Sequence, residues 1–163
     1  MIIVRAGAAG PGEDVDAAAG IWAEATAARD GEPEAAPLSL ARPLIQAVLD
    51  APGALLLVAR DDAERVVGFA AVAPLPADAS TAEVRYVGVR PADWGRGVGR
   101  HLMRELPAHL AAAGYTRAEL DVYVDNPRAV RLYEGLGWSP HGDATAHPRS
   151  GRLERRYGLD LPR

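Results

Sequence analysis

The apolar positions of this chain fall into blocks whose spacing changes along it. Ile2 to Arg5 alternates like a short first strand, and acidic Glu13, Asp14 and Asp16 open a helix running to about Ala28, where carboxylates suit the positive end of a helix. The stretch Asp30-Gly31-Glu32-Pro33-Glu34 breaks that pattern before a second helix over 38–49, which Pro52-Gly53 ends. Three apolar runs follow at 54–59, 66–72 and 83–89, separated by Asp61-Asp62 and by the turn-rich stretch 74–80, a spacing that predicts an antiparallel meander. Val98, Leu102, Leu106 and Leu110 recur on one helical face over 97–113, with Gly114 as the stop and a kink expected at Pro107. Residues 117–124 alternate as a strand, with Leu120, Val122 and Val124 on one face and Glu119, Asp121 and Tyr123 on the other. A helix with the stripe Ala129, Leu132, Tyr133 and Leu136 comes next. The tail then reads as two weaker strands around a polar loop at 141–151.

Length changes this picture little: 163 residues suit one domain, 1–163, with no repeat or linker. Apolar runs stay far short of a membrane span, and the opening Met1-Ile2-Ile3-Val4-Arg5 is too short and alternating for a signal peptide, so a cytoplasmic protein is expected. Composition excludes more. There is no cysteine, which removes disulfides, thiol nucleophiles and thiolate metal sites. All 18 basic residues are arginine, which removes a Schiff-base lysine and the lysine of a nucleotide phosphate loop. No metal site is expected, and a net charge of −4 argues against nucleic acid as the main partner.

Two segments carry candidate chemistry. In the first, the apolar run ending Val87-Gly88-Val89 leads through Trp94 into Gly95, Arg96, Gly97, Val98, Gly99 and Arg100. A pyrophosphate needs several converging N–H donors with no side chains in the way, and glycines at a helix start provide both. Arg96 and Arg100 flank the turn and can pair with phosphate oxygens. A dinucleotide G-x-G-x-x-G pattern fails, because the sixth position is Leu102 counted from Gly97 and Arg100 counted from Gly95. In the second segment Asn126-Pro127 is a helix start, a cap followed by proline at the first helical position. Gly137 ends that helix. Taken alone, the turn is equally a glycine-rich helix entry, and Tyr133 is a core aromatic.

Together the two segments resemble the GCN5-related N-acetyltransferase (GNAT) family. Its Q/R-x-x-G-x-G/A signature falls on 94–99, with Trp94 replacing the polar first residue, and its N-x-x-A-x-x-L-Y-x-x-x-G-F/W signature is met at every defined position from Asn126 to Trp138. The resemblance implies an α/β (α+β) fold: a twisted, mixed, mostly antiparallel sheet of six to seven strands, flanked by about four helices and splayed between the fourth and fifth strands. It implies acetyl-CoA in that splay, with backbone at Val87, Gly88 and Val89 on the pantetheine arm, Gly95 to Arg100 on the pyrophosphate, Asn126 on the cofactor arm, and Tyr133 facing the sulfur.

The implied activity is acetyl transfer to a primary amine of a small molecule. Alternatives of a different kind are a protein N-terminal or lysine acetyltransferase and a non-catalytic acyl-CoA-binding sensor. An alkylammonium with a lysine-like pKa is neutral in only about one molecule in 2,500 at pH 7, a penalty of roughly 4.6 kcal/mol. A base is therefore needed. By resemblance Glu83, eleven residues before Trp94, matches the base of the histone-acetylating members, and Asp121, five before Asn126, stands where the ribosomal-protein branch has glutamate. Glu83 is the first choice, with a simple ion pair to Arg85 as its structural alternative. Tyr133 is the expected acid. Residues 24–34 carry four carboxylates against Arg29, which suggests a cationic acceptor. Homodimers are common in similar proteins, although no pattern here demands one.

Overall fold

The computed structural model describes residues 2–7 and 12–163; Met1 lies outside the described residues. The elements in chain order are β1 (Ile3–Gly7), α1 (Gly12–Asp30), α2 (Leu38–Leu49), β2 (Leu55–Arg60), β3 (Val66–Leu75), β4 (Asp78–Val89), α3 (Val98–Ala112), β5 (Arg117–Tyr123), α4 (Pro127–Gly135), β6 (Ser139–Ala146) and β7 (Leu153–Asp160). The strands form one seven-stranded sheet in the order β1-β2-β3-β4-β5-β7-β6. Every pairing is antiparallel except β4 with β5.

Side-chain alternation divides the core between the two faces of the sheet. Leu57, Ala70, Val72, Ala82, Val84, Leu120 and Val122 face α3, whose stripe Val98, Leu102, Leu106 and Leu110 is fully covered. Leu56, Val58, Phe69, Ala71 and Ala73 face α1 and α2. Ion pairs of Arg42 with Asp16 and of Arg60 with Asp14 tie α1 to α2 and β2.

Several expectations are corrected. The loop expected over 74–80 is a tight hairpin turn at Pro76 and Ala77, because Asp78 accepts from the Ser80 N–H, the Ser80 hydroxyl and the Thr81 hydroxyl and lets both strands run on. The helix α3 spans both sides of Pro107, the position of the expected kink, and its apolar stripe holds both halves on the sheet. Most of the expected polar loop at 141–151 is strand β6, an edge strand exposed almost along its length and therefore without apolar alternation. Val124 lies past the end of β5 and is exposed. On α4, Val130 rather than Leu132 packs against the core with Ala129, Tyr133 and Leu136.

No helix among the described residues is long and apolar enough to cross a membrane.

Candidate functional site at the opening of the sheet

The pairing of β4 with β5 is short: Thr81 with Arg117, Ala82 with Ala118, and Glu83 with Glu119. Beyond Glu83 the remaining residues of β4 continue against β3 alone. A bulge helps this departure. Ala71 pairs with Tyr86 and Val72 with Val84, which leaves Arg85 as the extra residue and bends the strand. The bulge also resets the alternation. Val84, Val87 and Val89 lie on the α3 side, whereas Tyr86 turns to α1 and meets Trp22 edge to face at 6.1 Å.

Arg90 donates its N–H to Val67 on the β3 side, so by alternation Val87 and Val89 turn their backbone groups toward the opening. There the indole N–H of Trp94 donates to the Val89 carbonyl at 2.8 Å while 46% of the residue stays exposed. Trp94 thus replaces a polar side chain with a ring that still ties the turn to the strand. Gly88 is packed for a different reason: a Cβ there would sit 2.8 Å from the Phe69 ring and 3.3 Å from Ile21.

The glycine turn follows. Gly95 and Gly97 have φ of +80° and +79°, a left-handed conformation that favours glycine, and a Cβ at either would meet nothing within 4 Å. Backbone geometry, not crowding by the protein, is what requires them. Gly97 caps α3 without any side-chain hydrogen bond, so the first N–H groups of this 15-residue helix point outward with no side chain to serve them. Gly99 lies 3.5 Å from Val89 by the same measure, an ordinary contact. Arg96 is mostly exposed and only loosely paired with Asp93 at 3.7 Å, and Arg100 is exposed. Buried Asp93 is neutralised by Arg90 at 2.6 Å. The turn therefore offers donors and cations on one open surface, a set that fits a pyrophosphate.

Across the opening, Asn126 accepts from the Ala129 N–H at 3.2 Å and so caps α4. No residue of α4 is fully buried; its inner stripe, like Val87 and Val89, is half-covered. Tyr133 lies on that stripe, its ring 6.2 Å from buried Trp138, and burial pushes its phenol above the usual tyrosine range. The Trp138 indole N–H has no hydrogen-bond partner among the described residues.

The candidate bases lie on the other face of the sheet. Glu83 and Asp121 both accept from Arg156 of β7, at 2.8 and 3.0 Å, and Arg156 also donates to Glu119 at 3.1 Å. Glu83 is in addition paired with Arg85 at 3.3 Å. Sequence reasoning named Glu83 and Asp121 but missed Arg156 and Glu119. The alternation of 117–124 placed Glu119 on the right face, whereas β7 carries two adjacent arginines, Arg155 and Arg156, and offered no signal for which one turns toward the carboxylates.

Beyond this face, Asp30, Glu32 and Glu34 line a groove of ≈ 370 Å³ with Trp22 at the end of α1. Arg152 of the β6–β7 turn stacks over the Tyr123 ring at 3.8 Å and lies near enough to Asp30 for their charges to interact. A larger cavity of ≈ 1060 Å³ lies around Tyr115, Arg117 and Leu161, at the end of the sheet away from the glycine turn. Among the described residues no cluster of His, Asp and Glu could hold a metal ion.

A family model described as "Acetyltransferase (GNAT) family" matches residues 21–138. A mycothiol acetyltransferase of Kocuria rhizophila is 41% identical over 96 residues, which are 57% of this chain and 32% of that protein. This chain thus spans about a third of the length of that curated relative. Among solved structures, spermidine N-acetyltransferase from Vibrio cholerae in complex with CoA and spermine is similar with a TM-score of 0.76 at 17% identity, covering 98% of this chain and 95% of that one. A Salmonella typhimurium protein solved with its cofactor acetyl-CoA has a TM-score of 0.72 at 19% identity, covering 99% and 94%. These two likenesses show the fold: a mixed seven-stranded sheet with four helices. The family match spans both the glycine turn and the Asn126 helix, and the chain belongs to the acetyltransferase (GNAT) family.

Proposed function

We propose that this chain is an acetyl-CoA-dependent N-acetyltransferase acting on a primary amine of a small molecule. The observation that carries the reading is the opening beyond Glu83–Glu119, which has the uncapped start of α3 on one side and Tyr133 of α4 on the other. Acetyl-CoA binds with its pyrophosphate on Gly95 to Arg100, its pantetheine arm along Val87 to Val89, and its thioester between the strands near Asn126.

The amine approaches from the face that carries Glu83. Glu83, with Asp121 as the second candidate, takes the ammonium proton directly or through a water. The freed amine attacks the thioester carbonyl, and backbone N–H groups near Val87 to Val89 hold the oxyanion. As the C–S bond breaks, Tyr133 donates to the departing thiolate. A phenol whose pKa lies above its usual value stays protonated across the physiological range and is ready for that step.

The acidic groove of Asp30, Glu32 and Glu34 beside Trp22 supports a cationic acceptor. The spermine-bound relative is consistent with that chemistry. A thiol-release assay with an amine panel and several peptides tests the reading. Release with small amines, cationic ones fastest, is expected; preference for peptides would transfer the reading to a protein acetyltransferase, and acetyl-CoA binding without release would make the chain a sensor.

A further inference from the structure

One guanidinium on β7 meets three carboxylates from two neighbouring strands. Arg156 donates from Nη2 to Glu83 Oε2 at 2.8 Å, from Nη1 to Glu119 Oε1 at 3.1 Å, and from Nε and Nη2 to both oxygens of Asp121 at 3.0 Å. Glu119 is held a second time by Arg117 at 3.2 Å, which itself pairs with Asp160. Gly158, opposite Glu119 in register, leaves the space that the Arg117 guanidinium fills.

Glu83 is bound differently at its two oxygens. Oε2 belongs to Arg156, whose side chain is 26% exposed; Oε1 faces Arg85 at 3.3 Å, whose side chain is 48% exposed and sits on the β4 bulge. Moving Arg156 would leave three like charges crowded together without their shared counter-ion. Moving Arg85 gives up a single, longer, solvent-exposed ion pair, the kind that contributes little.

We propose that Arg156 is a positioning residue that fixes Glu83 through Oε2, while Arg85 is a displaceable counter-ion whose place at Oε1 is taken by the ammonium of the acceptor. This rests on the acetyltransferase reading with Glu83 as base. It gives the bulge a function: the extra residue puts a cation over the base until a substrate cation replaces it. It also separates the two arginines in kinetics, since Arg156 acts on turnover and Arg85 on acceptor binding.

The test has two arms. In the first, 15N NMR of the arginine side chains follows addition of n-butylammonium chloride to the acetyl-CoA-binding protein. The Arg85 Nε resonance shifts and that of Arg156 does not; the reverse pattern, or no response at Arg85, would overturn the proposal. In the second, steady-state kinetics use the amine that releases thiol fastest. Arg156→Met lowers kcat by at least about tenfold with the acetyl-CoA KM little changed, and Arg156→Lys recovers part of it. Arg85→Met lowers the amine KM severalfold. Wild-type kcat in folded Arg156→Met would refute the positioning role. Absence of thiol release with every amine would overturn the acetyltransferase reading and with it the role of Arg156 in turnover, whereas the NMR arm separately decides which arginine the ammonium displaces.

Discussion

Glu83 and Glu119 stand opposite each other as the last register pair joining β4 to β5. Like charges in that position repel, and here both carboxylates are drawn onto Arg156. The row at which the sheet opens is therefore also a charged one. A thioester lying in the opening from the α3 side would meet that row at its reactive end.

The glycine turn separates backbone demand from ligand demand. Gly97→Ala forces an alanine to φ +79° and costs about 1–2 kcal/mol, read as a melting point lower by several degrees and weaker acetyl-CoA binding by calorimetry. Gly99→Ala meets only an ordinary contact with Val89, so it keeps the melting point of the wild type while its new methyl obstructs the helix N-terminus and weakens acetyl-CoA binding.

Asn126 matters through the helix it caps. Asn126→Ala leaves the Ala129 N–H without its partner and costs about 1 kcal/mol of stability by urea denaturation. Turnover falls as well, because α4 carries Tyr133 and has no fully buried residue to hold it in place.

Alkaline titration should expose the buried phenols. Burial raises the pKa of both Tyr133 and Tyr115, so the folded chain holds these protons more tightly than the unfolded chain does. Their contribution is full below the ordinary tyrosine pKa of about 10 and is lost as pH rises through the higher folded values. Urea midpoints therefore decline above about pH 10, and they decline less steeply in Tyr133→Phe.

Replacing Glu32 and Glu34 together by glutamine raises the KM of cationic amines and leaves that of neutral amines nearly unchanged. Added salt narrows the wild-type preference in the same direction, since these charges are exposed and screened. Equal KM changes for both classes of amine would remove the groove from acceptor selection.

The two signature segments made the fold, the glycine turn and the capped helix α4 legible because each rests on local rules: a left-handed glycine, an asparagine cap, a helical stripe. The second helix matched its expected bounds of 38–49 for the same reason. Long-range features were not legible. The bulge at Arg85 depends on how β3 and β4 fit together, and the gathering of Glu83, Glu119 and Asp121 on Arg156 depends on a register that joins residues 73 positions apart. Exposed β6 lacked the apolar alternation by which strands are recognised, and Asp78 shortened a loop through hydrogen bonds that composition does not reveal.

The most direct test of the account compares wild type with Tyr133→Phe for thiol release and for acetyl-CoA affinity in the same preparation. Removing one hydroxyl from a half-buried ring is expected to lower kcat by about 10²-fold and to leave the acetyl-CoA Kd nearly unchanged. Equal turnover by the two proteins would contradict the placement of Tyr133 at the sulfur.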